Sequence, residues 1–236
     1  MSKCVILLSG GMDSATLLGL ARRQYQEAMA LSIDYAQRHK RELESAKQVA
    51  RHFTVHHEIL DITNINHLLQ GSALTSDIPV PHGHYEDESM KQTVVPGRNT
   101  ILLSIAAAWA ASMGFDAVAY AAHAGDHAIY PDCRPRYVDA MDSVLRLFHY
   151  TPVKLWVPFL NKTKMDILKI GLPLGVPYQL TWTCYDPQAI LDGKGVKGSP
   201  YVRILACGRC GSCQERLEAF AKIGQKDPVQ YVEGNE

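Results

Sequence analysis

Val5-Ile6-Leu7-Leu8-Ser9-Gly10-Gly11-Met12-Asp13-Ser14 joins a short apolar run to a turn that must reverse direction at once, because helix-periodic sequence follows it. Adjacent glycines permit a tight turn and let backbone N–H groups approach an anion with no Cβ in the way. Those amides, the positive end of the following helix and the hydroxyls of Ser9 and Ser14 make an oxyanion cradle. A carboxylate there would repel phosphates, so Asp13 makes sense if it faces a Mg²⁺ that bridges phosphate oxygens. The string has neither the Gly-Lys of a Walker loop nor the spaced glycines of a dinucleotide site.

Outward from this turn, strand-like and helical patterns alternate. Strands are predicted over 4–8, 28–33, 56–60, 117–121 and 153–157, and helices over 14–24, 41–52, 100–113, 135–148 and 162–170. Such alternation predicts an α/β fold with a doubly wound, mainly parallel sheet over residues 1–172. Between residues 70 and 98 the periodicity lapses around Pro79, Pro81, Gly83, Pro96 and Gly97, a segment long enough to be functional or mobile. Residues 173–236 lose the pattern and are expected to form a small helical region with one helix over 214–222.

Hydrophobic residues at 47% and charged residues at 20% fit a globular protein, and no apolar run is long enough to cross a bilayer. The run from Cys4 stops at Ser9 and reads as a first strand, not a secretion signal. Twenty-four basic residues balance 24 acidic ones, which speaks against a nucleic-acid partner. Cys207, Cys210 and Cys213 stand at three-residue steps, and a tetrahedral ion wants a fourth thiolate, for which Cys184 is the candidate. Four thiolates leave no open position, so a structural Zn²⁺ and a reducing cytoplasm are expected. Cys4 and Cys133 read as packed, unreactive cysteines.

The string Ser9-Gly-Gly-Met-Asp-Ser14 resembles the pyrophosphate loop of the N-type ATP pyrophosphatases, which cleave ATP to AMP and pyrophosphate. Further strings narrow this: Asp34-Tyr-Ala-Gln-Arg-His39, Val95-Pro-Gly-Arg-Asn-Thr100, His123-Ala-Gly-Asp126, Tyr130-Pro-Asp-Cys-Arg-Pro135, Thr181-Trp-Thr-Cys-Tyr185 and Cys207-Gly-Arg-Cys-Gly-Ser-Cys213. In this order they resemble the 7-cyano-7-deazaguanine synthase family (QueC). The resemblance implies that 7-carboxy-7-deazaguanine and ammonia become the nitrile at the cost of ATP, by adenylation first of the carboxylate and then of the amide. It implies ATP contacts from Ser9 to Ser14 and at Ile33 and Arg38, and catalytic roles for Asp13, Lys164 and Arg98. Substrate contacts are implied at Arg98, Asn99, His123, Asp126, Tyr130 and Asp132, with Asp126 or Asp132 accepting from the guanine-like edge. It further suggests a homodimer. The segment between Cys184 and Cys207 is longer than usual in the family, with a turn-rich insertion over 192–198. A relative that stops at the amide or transfers the activated acid, and a tRNA-modifying enzyme of the same superfamily, are the competing readings.

Overall fold

The computed structural model describes residues 2–37, 40–76, 78–85, 87–192 and 201–232. Arg38 and residues 193–198 of the 192–198 insertion lie outside them.

Five strands make the central sheet: β1 (Lys3–Leu7), β2 (Glu27–Asp34), β3 (His56–Asp61), β4 (Ala117–Ala119) and β5 (Lys154–Trp156). They run in the order β3-β2-β1-β4-β5, and every pairing is parallel. Alternate residues of β1 and its exit serve opposite faces, which is why the strand is apolar throughout. Cys4, Ile6 and Leu8 enter one core with α1 (Met12–Gln24), α2 (Arg41–His52) and α5 (Lys164–Gly171). Val5 enters the other, with α3 (Arg98–Ser112) and α4 (Pro135–Leu147). The doubly wound parallel sheet is as the alternation predicts. Helix α2 has its predicted bounds, whereas α3 begins two residues early because Gly97 takes a left-handed φ of 64° and starts the helix there.

Chain order reverses about β1, which has β2 on one side and β4 on the other. In such sheets the crevice at the carboxyl ends of the strands takes the ligand. The turn after β1 opens into it, held by packing against α2. Gly10 has a φ of +91°, and a Cβ there would overlap the Glu42 carbonyl oxygen and lie 2.8 Å from the Ala46 amide nitrogen. Gly10→Ala is therefore expected to cost about 2–4 kcal/mol in strain and displaced backbone. An unchanged denaturant midpoint would contradict this close packing.

Residues 173–236 differ from the expected helical region. Besides α6 (Gly211–Lys222) they form an antiparallel pair, β6 (Gln188–Asp192) and β7 (Tyr201–Leu205). Ile190, Val202 and Ile204 are exposed, so backbone pairing rather than core burial holds this ribbon, and its apolar signal is weak. Val176, Tyr178, Ala219 and Phe220 share the core of α1 and α5, and the Trp182 amide donates to the Gly10 carbonyl at 2.9 Å. The aperiodic segment before α3 folds over the carboxyl end of the sheet. Ser72, Ala73, Met90 and Thr93 are buried there, and the Gly83 amide donates to the Arg209 carbonyl. No helix among the described residues is long and apolar enough to cross a membrane.

Candidate active site

One cavity occupies the crevice. Its base is the turn after β1. Ser9, Gly11, Asp13 and Ser14 line it, whereas Gly10 and Met12 do not: Gly10 packs on α2, and Met12 is wholly buried in the core. The Ser9 and Ser14 hydroxyls lie 3.0 Å apart, the Gly11 amide donates to Ser9 Oγ at 3.3 Å, and Ser14 Oγ donates to the Gly11 carbonyl at 3.1 Å. No side chain caps α1, so its first-turn amides can serve an anion.

Deeper in, charges converge. Lys164, at the start of α5, is 7% exposed, with Nζ 3.2 Å from Asp13 Oδ2 and 2.5 Å from Glu215 Oε2. Burial works against its ammonium, but Asp13 and Glu215 outweigh this and the net shift is upward, so it stays charged. His123 Nδ1 accepts from the Gly125 amide at 3.1 Å, which places the proton of the neutral ring on Nε2. That nitrogen faces Asp126 at 3.5 Å and Asp13 and Glu215 at 3.8 Å each. The other oxygen of Asp13, Oδ1, is buried without a hydrogen-bond partner. An unpaired carboxylate oxygen beside the anion cradle fits a hard divalent cation such as Mg²⁺.

The opposite wall is aromatic and carries one guanidinium. Arg98, at the first position of α3, donates from Nη1 to Tyr35 Oη at 3.4 Å. Ile33, Asn99, Tyr130 and Tyr185 complete this side, and Tyr85 joins the two, its ring 6.2 Å from that of Tyr130 and 5.5 Å from Lys164 Nζ. Among the residues expected to contact substrate, Arg98, Asn99, His123, Asp126 and Tyr130 line the cavity. Asp132 does not: its Oδ2 accepts from the Asn99 amide at 3.2 Å, so it fixes the start of α3 from behind. Asp126 accepts from Tyr85 Oη at 2.9 Å and from the His123 amide at 3.0 Å, which leaves lone pairs free on both oxygens.

Glu42, Glu215, Tyr85 and Ser212 line or border this site without having been singled out in the sequence. Glu42 sits in the first turn of α2, on the edge where ligands gather, and position alone could have flagged it. Its side chain makes no hydrogen bond or ion pair among the described residues. Burial pushes its carboxyl up from 4.5 to about 7, partly offset by Arg98. A raised acid favours the folded state only while neutral, so the stability it lends is full below pH 4.5 and is lost as the pH rises through about 7. Glu42→Gln is accordingly expected to melt like the parent at pH 4.5 and above it at pH 8. An equal difference at both pH values in calorimetry would refute this.

Behind the cavity, the Sγ atoms of Cys184, Cys207, Cys210 and Cys213 lie within 4.8 Å of one another, all buried. Four thiolates around a tetrahedral ion at about 2.3 Å would stand roughly 3.8 Å apart, and Cys207 and Cys213 are 4.0 Å apart. Amides of Cys207, Arg209 and Cys210 donate to cluster sulfurs, as they do to metal-bound thiolates. The cluster can hold a metal. Cys133 lines the cavity, but burial raises its thiol strongly, and it serves as an acceptor for Asn99 Nδ2.

Comparison with known proteins gives one direction. The family described as "Queuosine biosynthesis protein QueC" matches residues 3–224. A 7-cyano-7-deazaguanine synthase of Pseudoalteromonas translucida is 50% identical over 97% of this chain and 98% of its own. Another of that name, from Hahella chejuensis, is 51% identical over 98% of this chain and 93% of its own. Among solved structures, a 4-thiouridine synthetase in complex with RNA and ATP superposes with a TM-score of 0.50 at 17% identity, covering 76% of this chain and 42% of that one, a likeness of fold alone. The chain belongs to the QueC family.

Proposed function

We propose that the protein is a 7-cyano-7-deazaguanine synthase: an ATP-dependent ligase that converts 7-carboxy-7-deazaguanine and ammonia to the nitrile. The observation that carries this reading is half-identity, along nearly the whole of both chains, to relatives bearing that name. The cavity supplies what the chemistry needs. A carboxylate is a poor electrophile until one oxygen becomes a leaving group. Attack of that oxygen on the α-phosphate of ATP expels pyrophosphate and gives the acyl adenylate. Ammonia then displaces AMP to give the amide and loses a proton. The amide oxygen is adenylated in turn, and loss of AMP and the remaining N–H protons leaves the nitrile. Two ATP are consumed per product.

In this reading Ser9, Gly11 and Ser14 hold the β- and γ-phosphates on the bare N-terminus of α1. Lys164 neutralises charge as pyrophosphate leaves. Asp13 Oδ1 would hold a Mg²⁺, which would supply shielding of the phosphate charge. Ile33 borders the nucleotide, and Arg38 is assigned to it by family resemblance alone. Arg98, cationic and in no ion pair among the described residues, takes the substrate carboxylate. Tyr130 and Asn99 flank the base, His123 and Asp126 face it, and Asp126 accepts from its guanine-like edge. Asp132 acts indirectly, through Asn99.

Residues 1–172 thus form the nucleotide domain and 173–236 a region stapled by Zn²⁺ on the four cysteines. Balanced charge favours small substrates over nucleic acid, and six unpaired cysteines favour the cytoplasm. A homodimer is supported by exposed Val144, Leu147 and Tyr150 near the end of α4. Incubation of zinc-loaded protein with 7-carboxy-7-deazaguanine, ammonium, Mg²⁺ and ATP tests the function. Mass spectrometry should find the nitrile, with two AMP per product. Amide as the sole end product would favour the amide-forming variant, and no turnover of this acid would sink the proposal.

A further inference from the structure

The contact between α6 and Lys164 joins two parts of the molecule that the proposed chemistry treats separately. We propose that Glu215 is a positioning residue, which transmits the placement of the four-cysteine site to the Lys164 ammonium. The proposal rests on the reading of Lys164 as the cation that meets the departing pyrophosphate.

Three observations converge on it. First, α6 grows out of the cysteine cluster: Cys210 is its N-cap and Cys213 lies in its first turn. Two of the four thiols therefore fix both the start of the helix and its rotation. Residues advance by about 100° around a helix, so Glu215, two positions after Cys213, projects from the far side, toward the cavity. Arg216 locks the same turn. Its guanidinium is 1% exposed and bonds both Asp227 oxygens, Thr181 Oγ1 and the Tyr178 carbonyl.

Second, the partner of Glu215 is Lys164, 51 residues away in sequence, at 2.5 Å. Room is kept for this contact, since a Cβ on Gly125 would come within 2.6 Å of Glu215 Oε1. Third, Lys164 has two carboxylates where one would neutralise it. Asp13 belongs to the phosphate turn, and its second oxygen is the one suited to a cation. Glu215 belongs to neither the turn nor the nucleotide domain. It remains as the holder of Lys164 when Asp13 is engaged elsewhere, and so sets where the ammonium stands relative to the turn.

A carboxylate near polyphosphate has a second consequence. Neutralising Glu215 removes a repulsive charge, so ATP binding should not weaken even as turnover falls. Glu215→Gln keeps the shape and the acceptor oxygen. It is expected to lower kcat by about ten-fold or more, with Kd for ATP unchanged or tighter and zinc still at one per chain. Because Glu215 acts through Lys164, adding E215Q to Lys164→Met should cost nothing further. Gly125→Ala, whose Cβ would crowd the same carboxylate from the other side and stand 2.9 Å from His123 Cε1, should also lower kcat.

Wild-type speed in E215Q or in G125A, or additive losses in the double variant, would overturn the proposal. So would loss of zinc in step with activity, which would make Glu215 part of the staple only. Nitrile formation by the wild-type arm of the same assay keeps the two failures apart. Its absence sinks the functional reading, whereas its presence beside a fully active E215Q sinks only this one.

Discussion

Lys164→Met is expected to lower kcat by about 10²–10³-fold, corresponding to roughly 3–4 kcal/mol of lost transition-state stabilisation. The lysine is buried, so its charge acts through protein rather than water, where it would be screened. Charge on the bridging oxygen and the β-phosphate grows as the α–β bond breaks. A cation fixed beside the phosphate turn therefore binds the transition state better than ATP itself. The loss should fall on kcat, with a smaller change in Kd for ATP. Methionine keeps the length of the side chain but leaves Asp13 and Glu215 facing each other without a counter-charge, which destabilises the fold by up to about 3–5 kcal/mol. Activity must then be read well below the melting temperature of the variant, as single-turnover AMP formation on saturating substrate. A rate within about five-fold of wild type would remove Lys164 from the chemistry.

Local patterns in the chain forecast the sheet and the turn that forms the base of the cavity. The turn from Ser9 to Ser14 announces itself because strand, glycines and helix are contiguous, and alternation of period two and period 3.6 places β2, α2, β4 and α4 within a few residues. What local pattern cannot carry is a contact made across the fold. Glu42 looks like a helix-surface glutamate until α2 is seen against the phosphate turn. Tyr85 lies in an aperiodic segment whose burial is fixed by its neighbours, and Glu215 matters only because α6 meets α5. Asp132 shows the reverse case. A carboxylate in a polar loop over the sheet edge is a sound candidate for substrate, yet its Oδ2 accepts from the Asn99 amide and Asp132 is not among the residues lining the cavity. The β6–β7 ribbon escaped notice because it packs little apolar surface, and period is legible only where one face is buried.

Loss of metal from the four-cysteine site is expected to abolish turnover while sparing the parallel sheet. Besides the four cysteines, the buried core around the cluster is Trp182, Ala206 and Tyr231, with only the partly buried Val80, Tyr185, Leu217 and Val229 packed against it, so little apolar burial would remain to hold it once the sulfurs are unbound. Structural zinc contributes on the order of 10–16 kcal/mol of apparent binding free energy in small domains, more than so small an apolar cluster can replace. Trp182, Thr183, Tyr185 and Ser212 all line the active cavity from this region, and Glu215 reaches Lys164 from it. Release of the region therefore dismantles one wall of the site. The other face of the sheet, packed on α3 and α4, shares no residue with the cysteine core and should persist. Cys207→Ser provides the cleanest test, because Cys207 is fully buried and its sulfur accepts from two backbone amides. Elemental analysis should give one zinc per chain in the parent and almost none in the variant. Hydrogen exchange should quicken across residues 182–192 and 201–232, with β1, β2 and β4 still protected. A metal-free C207S protein that forms nitrile at the parental rate, with slow exchange in α6, would separate the cysteine cluster from the active site altogether.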